Sequence, residues 1–227
     1  AVLPAATEGG GTVVVGAHYD TVPGSPGADD NASGVATVLE LARRFRGRGG
    51  EHTIRFVFFV NEEPPFFKGE LMGSRVYARW LRSRGEKVVG MLSVESVGYF
   101  SDARGSQSYP FPNPGLYPGT GNFIGFVSNL GSQPLLMRAL RSFRGRGSIP
   151  SEGLAAPGLV AGTDWSDHAS FWEQGFPALM VTDTAPFRNP HYHTAGDLPE
   201  RLDFRRMAEV AEGLAAVVED LAGVRPK

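Results

Sequence analysis

The stretch TVVVGAHYDTVPGSPGADDNASGV, residues 12–35, decides the fold class of this 227-residue chain. Its apolar run at 13–17 predicts a buried strand that ends on His18 and Asp20. A loop rich in Pro, Gly and Ser follows, and helical spacing of apolar residues begins at about residue 31. A strand, a loop and a helix in this order are typical of an α/β fold, which places its active site at the strand end.

The rest of the chain repeats this alternation of strands and helices. It predicts an α/β fold, a three-layer α/β/α sandwich with a mostly parallel, mixed central sheet. We found no internal repeat and no linker, so residues 1–227 are expected to form a single domain. Further strands are predicted at 53–60, 88–94, 122–128 and 177–182, and helices at 134–143 and from about 203.

The composition is that of an ordinary globular protein, with 41% hydrophobic and 20% charged residues. A net charge of −2 gives no reason to expect nucleic acid or a membrane surface as a partner. No apolar run reaches the roughly 20 residues of a membrane span, and the chain shows no signal-peptide pattern, so we expect a soluble protein. Its oligomeric state and cellular location stay open, as does the question of whether it comes from a longer protein.

Acidic residues follow two further predicted strands. Glu62 and Glu63 come after the strand at 53–60, and Glu95 ends the strand at 88–94. Any one of these acids is explained equally well as part of a solvated turn. Because the carboxyl ends of parallel strands meet at one edge, all of them together indicate a functional site there.

Histidines and acids without any cysteine point to a particular metal chemistry. Imidazole and carboxylate ligands suit zinc, with manganese or cobalt as substitutes. Two divalent ions are balanced by three ligand carboxylates, one of them bridging, together with a bridging hydroxide. The candidate residues are His18, Asp29, Asp30, Glu62, Glu63, Glu95, His168, His191 and His193.

These residues lie in motifs that resemble the family 28 metallopeptidases of the MH clan. The motifs, in chain order, are HYD (18–20), GADDNASG (27–34), NEE (61–63), ESVGY (95–99), SDH (166–168) and HYHT (191–194). The resemblance covers nearly the whole chain. It implies a zinc-exopeptidase-like fold, two co-catalytic zinc ions per chain, and a peptide substrate with a free N-terminus.

The resemblance also implies a role for each matching residue. His18 and Glu95 would bind one zinc ion, and Glu63 and His193 the other. Asp29 would bridge the two ions.

Other positions match the family's catalytic groups. Glu62 would be the general base for the attacking hydroxide. Asp20 would orient the first histidine, and Tyr192 would donate a hydrogen bond to the developing oxyanion. The Asp29–Asp30 peptide bond is expected to be cis.

Two histidine assignments remain open between a site role and a structural one. His168, with Asp167 before it, belongs to a family motif, yet a histidine on a short helix is more often a core or supporting group. His191 is two residues from His193, and the family pattern places the ligand at His193.

The resemblance leaves several functions open. Carboxypeptidases, dipeptidases and glutaminyl cyclases share this fold, and a non-catalytic interaction domain is a further alternative. The long loop at 99–121 either forms a wall of a substrate cleft or is a surface excursion. Aromatic residues in the loops indicate an apolar pocket or ordinary packing; they are Phe66, Phe67, Tyr99, Phe100, Phe111, Tyr117 and Phe187.

Overall fold

A computed structural model describes residues 1–6, 9–113 and 115–225. Residues 7 and 8, in the N-terminal stretch, and residue 114, in the long loop predicted at 99–121, lie outside the described residues. The strands are β1 (Val2–Leu3), β2 (Thr12–His18), β3 (Thr53–Phe59), β4 (Val88–Glu95), β5 (Ile124–Ser128), β6 (Ser151–Ala155) and β7 (Ala178–Thr182).

Helices cover both faces of the sheet. They are α1 (Gly34–Phe45), α2 (Gly73–Ser83), α3 (Gln133–Arg146), α4 (His168–Glu173), α5 (Ala185–Arg188) and α6 (Phe204–Ala222). Helices α1, α3 and α6 pack into one hydrophobic cluster, and α2 and α4 into another on the opposite face. In the part of the chain that the structure describes, no helix is both long and apolar enough to cross a membrane.

The sheet has the strand order β1-β3-β2-β4-β7-β5-β6. Strands β3, β2, β4 and β7 are parallel, whereas β1 is antiparallel to β3 and β5 is antiparallel to β7. Strand β6 is parallel to β5. The carboxyl ends of the four parallel strands therefore share one edge with the amino ends of β5 and β6. This architecture confirms the predicted three-layer fold with a mostly parallel, mixed sheet.

Strand β2 has no polar face because both of its faces are covered. Val13, Val15 and Ala17 pack into the cluster with α1, α3 and α6, while Val14 packs on the other side with α2 and α4. Every residue of β2 is buried. A strand covered on both sides is apolar without alternation, which is the pattern seen in the sequence.

Apolar spacing in the sequence predicts Met72, Val76, Trp80 and Leu81 as the inner side of the second helix, and this prediction is partly wrong for α2. Met72, just before the helix, and Leu81 are buried as expected, but Val76 and Trp80 have exposed fractions of 51% and 42%. The small side chain of Ala78 lies inside instead. Small residues let the helix approach its neighbours closely, so side-chain size was a poor guide to the buried face.

Candidate metal and catalytic centre

His18 ends β2 with its imidazole buried at the carboxyl edge of the sheet. Its Nδ1 lies 3.0 Å from the backbone carbonyl oxygen of Asp20 and 3.7 Å from Oδ1 of the Asp20 carboxylate. Its Nε2 lies 3.2 Å from a carboxylate oxygen of Asp30 and 3.2 Å from Oε2 of Glu95. Asp20 therefore sets the ring orientation, mainly through its carbonyl, and leaves Nε2 facing two carboxylates.

The Asp20 carboxylate also holds the exit of the neighbouring strand. Its two oxygens accept hydrogen bonds from the backbone N–H groups of Glu62, at 3.2 Å, and Glu63, at 3.1 Å. The Glu62 carboxylate comes within 3.9 Å of Nε2 of His18, and Oε2 of Glu63 lies 3.3 Å from Nε2 of His193. One residue thus aligns the ends of β2 and β3.

Glu95, at the end of β4, is fixed by two serine hydroxyls. The Ser166 hydroxyl donates to Oε2 at 2.7 Å, and the Ser96 hydroxyl donates to Oε1 at 3.2 Å. The sequence signal for Ser166 was only its place in the SDH motif. Its role is to hold the carboxylate toward His18.

Asp30, rather than Asp29, lies between the two histidines. Its Oδ1 is 3.2 Å from Nε2 of His18 and its Oδ2 is 3.0 Å from Nε2 of His193. The Asp29 carboxylate instead accepts from the backbone N–H of Gly98 and from the side chain of Asn189. Asp29 was expected to bridge the site, but in the structure Asp30 is the aspartate that faces both histidines.

The cis peptide bond also lies one residue later than predicted. The cis bond joins Asp30 to Asn31, not Asp29 to Asp30. Neighbouring aspartates point in different directions along the turn, and nothing in the letters DD tells which of the two faces the histidines.

His193 and Tyr192 close the other side of the cluster. The ring of Tyr192 stacks on that of His193, with centroids 3.8 Å apart. One third of the His193 side chain, 33%, is exposed, so this side of the cluster opens to solvent. Burial raises the pKa of Tyr192, and the carboxylates of Asp30 and Glu95 raise it further, which keeps its hydroxyl protonated as a donor.

Electrostatics in the cluster are dominated by its carboxylates. Burial lowers the pKa of His193, but Asp30 and Glu63 raise it to about 9. Burial likewise opposes the charged form of His18, yet surrounding acids hold its pKa well above the usual value. Burial raises the pKa of Glu62 well above its ordinary range. So many buried acids favour a cation at this position.

The donor set fits zinc. Ligand atoms of His18, Asp30 and Glu63 lie within 4.8 Å of one another, and Glu95 and His193 add donors beside them. Within the described chain, Oε1 of Glu63 is buried without a hydrogen-bond partner. Imidazole nitrogens and carboxylate oxygens are the zinc ligands expected where cysteine is absent.

The other two candidate histidines, His168 and His191, lie apart from this cluster. His168 is fully buried, its Nε2 donates to the carbonyl of Thr163 at 2.8 Å, and its ring packs edge-on against Trp172. Burial lowers its pKa to about 4, so it is a neutral core histidine. His191 forms no ion pair with a site carboxylate in the described residues; its backbone N–H donates to Asn189. Asp167 is buried close to the site, and burial raises its pKa to about 7.

Asp197 supports the site but was absent from the predicted residues. Its carboxylate accepts from the backbone N–H groups of Asp29, at 2.9 Å, and Asp30, at 3.1 Å. Its carbonyl accepts from Ala28 at 3.3 Å. It therefore ties the loop that carries His193 to the turn that presents Asp30.

A cleft of about 830 Å³, with the solvent at its mouth included, borders the cluster through Glu95 and Tyr192. The long loop contributes Gln107, Tyr109, Phe111 and Tyr117 to its walls, which favours a cleft wall over the surface excursion that the sequence left equally open. Of the seven loop aromatic residues that the sequence left open between a pocket and ordinary packing, those that line this cleft are Phe111, Tyr117 and Phe187.

Comparison with known proteins identifies the family. The family model described as peptidase family M28 matches residues 1–218. The chain belongs to peptidase family M28. It is 37% identical over 218 residues to the uncharacterized protein YfbL of Escherichia coli strain K12, covering 92% of this chain and 67% of that protein. It is 32% identical over 226 residues to a probable leucine aminopeptidase of Arthroderma benhamiae, covering 93% and 54%.

Solved structures share the fold of this M28 chain. An aminopeptidase from Aneurinibacillus sp. strain AM-1 superposes with a TM-score of 0.70 at 26% identity, covering 100% of this chain and 47% of that one. A zinc aminopeptidase from Bacillus subtilis superposes with a TM-score of 0.69 at 22% sequence identity, covering 98% of this chain and 51% of that one. A glutaminyl cyclase from Fimbriiglobus ruber superposes with a TM-score of 0.62 at 18% sequence identity, covering 94% of this chain and 72% of that one. The chain spans about half the length of the aminopeptidases it matches.

Proposed function

We propose that this chain carries the catalytic domain of a zinc-dependent aminopeptidase, which removes N-terminal residues from peptides, and that residues 1–227 form one domain. The observation that carries the proposal is the position of Asp30, which faces His18 with one oxygen and His193 with the other. Glu95 stands beside the first histidine and Glu63 beside the second. Family membership supports a peptide substrate.

This arrangement suits two zinc ions per chain. We assign His18 and Glu95 to one ion, Glu63 and His193 to the other, and Asp30 to both. When bound, the ions supply Lewis acidity that polarises the scissile carbonyl and acidifies water. The positive charge of the two ions would also offset the cost of burying several carboxylates together.

The remaining residues handle protons and orientation. Glu62 borders the cluster, with its backbone held by Asp20, and we assign it the transfer of a proton from the attacking water to the leaving amine. The Tyr192 hydroxyl donates to the developing oxyanion. Glu95, which also lines the cleft, accepts a hydrogen bond from the free α-amine of the substrate.

The relatives favour this assignment over the other functions of the fold. A 32% identical relative is described as a probable leucine aminopeptidase, whereas the likeness to a glutaminyl cyclase rests on the fold alone. A purely binding domain would have no need for Glu62 beside a complete ligand set.

The test compares leucine p-nitroanilide with its N-acetylated form, using the zinc-loaded protein. We expect hydrolysis of the free-amine substrate only, at least 100-fold slower in Glu62→Gln. Glu70→Gln is the matched control, because Glu70 is exposed and pairs with Arg79. Cleavage of peptides from a free C-terminus, cyclisation of glutaminyl substrates, or binding without turnover would each overturn the proposal in favour of one of its alternatives.

A further inference from the structure

Glu152 lies on the same face of the sheet as Glu95. In the strand register Glu95 pairs with Thr182, Thr182 with Gly125, and Gly125 with Glu152. Residues paired in register point to the same side of a sheet. Three strand spacings separate the two glutamates, which is about 14 Å. Both line the cleft described above.

The row between them leaves room for a ligand. Gly125 has no side chain and lines the cleft together with Thr182 and Thr184. The Cγ2 atoms of Thr184 and Thr182 border this position, at 3.5 Å and 3.8 Å from where a Cβ of residue 125 would stand. The only side chain of the row between the two glutamates is therefore that of Thr182. A long side chain can lie over Gly125 and reach from Glu95 toward Glu152.

Aromatic rings surround this path. Tyr109, Phe111 and Tyr117 form a cluster with centroids 5.7 to 6.2 Å apart, and Trp165 stacks on Phe187 at 6.4 Å. All five residues line the cleft. Aromatic faces attract the cationic groups of lysine and arginine as well as packing against their methylene stems.

In the described part of the chain, the Glu152 carboxylate has no ion-pair partner and no side-chain hydrogen bond. Among the described residues, no Lys, Arg or His forms an ion pair with it. The hydroxyl of Tyr109 donates to the Pro118 carbonyl at 2.7 Å, and that of Tyr117 donates to the Gly153 carbonyl at 3.3 Å. Burial and the nearby Glu152 charge raise the pKa of Tyr117. A half-buried, unpaired carboxylate among aromatic rings is a receptor for a cation.

We propose that the cleft binds the side chain of the N-terminal substrate residue and that Glu152 selects lysine or arginine there. The inference rests on the proposed aminopeptidase function. Six bonds separate the α-nitrogen of arginine from its guanidinium carbon, about 7 Å in an extended chain. With an ion-pair contact of about 3 Å at each end, an N-terminal arginine spans about 13 Å, close to the roughly 14 Å that separates the backbones of Glu95 and Glu152.

The experiment measures kcat/KM for the aminomethylcoumarin amides of arginine, citrulline and leucine. Citrulline has the length of arginine without its charge. In the unaltered protein we expect kcat/KM for the arginine amide to exceed that for the citrulline amide at least tenfold. In Glu152→Gln we expect the ratio of these two kcat/KM values to fall at least tenfold. Glu200→Gln, at an exposed glutamate outside the cleft, should leave the ratio unchanged. The ratio does not depend on the fraction of folded enzyme.

Two negative outcomes are distinguishable. The inference would be overturned if the leucine amide is cleaved while the arginine and citrulline amides have equal kcat/KM values. It would also be overturned if Glu152→Gln keeps the arginine-to-citrulline ratio of kcat/KM. Either result would leave the proposed function standing. Failure to cleave any of the three amides would overturn the proposed function and the inference together.

Discussion

Asp197→Asn tests whether the turn that presents Asp30 is held from the opposite loop. Asp197 has an exposed fraction of 1% and receives backbone hydrogen bonds from three consecutive residues, Ala28, Asp29 and Asp30. The side chain receives two of these bonds, one on each carboxylate oxygen. Asparagine keeps one acceptor oxygen and turns an NH₂ group toward the other backbone N–H. The variant therefore loses one charged hydrogen bond, weakens the second and leaves a buried donor unpaired.

The expected loss of unfolding free energy is about 2–4 kcal/mol, because hydrogen bonds to charged groups contribute roughly 1.5–3 kcal/mol each. For a chain of this size that corresponds to a decrease in Tm of about 5–15 °C. Zinc affinity should fall about 10- to 100-fold, since Asp30 loses its support. Urea unfolding followed by circular dichroism and zinc titration provide the two measurements.

Asp102→Asn is the matched control. The Asp102 side chain is 65% exposed and pairs with Arg206, and surface ion pairs contribute about 0–1 kcal/mol. The reasoning is refuted if Asp197→Asn loses no more stability than Asp102→Asn and binds zinc as the unaltered protein does.

Two other side chains permit equally direct tests. Ser166→Ala removes the 2.7 Å hydrogen bond to Glu95 and should weaken zinc affinity about tenfold. The control Ser83→Ala, at an exposed helix end, should leave zinc affinity unchanged. Equal zinc affinities of the two variants in titration would contradict the role of Ser166. His168 has a folded pKa of about 4, below the unfolded value of about 6.5. The unfolded state then binds more protons between these values, so stability should fall as pH decreases from 6.5 to 4. His168→Gln should remove about 2 kcal/mol of this pH dependence, measured by urea unfolding at pH 7 and 4.5, and an unchanged slope would show that His168 is not buried as a neutral group.

The strand ends were readable from the sequence because chemistry and pattern coincide there. An apolar run that stops at His18, another that stops before Glu62 and Glu63, and a third that stops at Glu95 have few explanations as packing. The parallel topology then places their ends together. In the structure the carboxylates of Glu62 and Glu95 lie near Nε2 of His18, and that of Glu63 lies near Nε2 of His193.

What the sequence left undecided depends on direction and on long-range contacts. Asp29 and Asp30 are chemically identical, and the local turn decides which carboxylate meets the histidines. Asp197 acts across 167 residues of chain, through hydrogen bonds to backbone groups that leave no pattern in the sequence. Glu152 lies in β6, a short edge strand whose sequence SEGLA lacks the β-branched residues that predict a strand.

The most direct test of the account is the zinc content of the metal-stripped protein after titration and dialysis, measured by elemental analysis. We predict two zinc ions per chain in the unaltered protein, loss of zinc from Asp30→Asn, and retention of both ions in Asp29→Asn, whose carboxylate is engaged by Gly98 and Asn189. Loss of zinc from Asp29→Asn with retention in Asp30→Asn would contradict the assignment of the shared ligand. An unaltered protein that binds no zinc would contradict the proposed site as a whole.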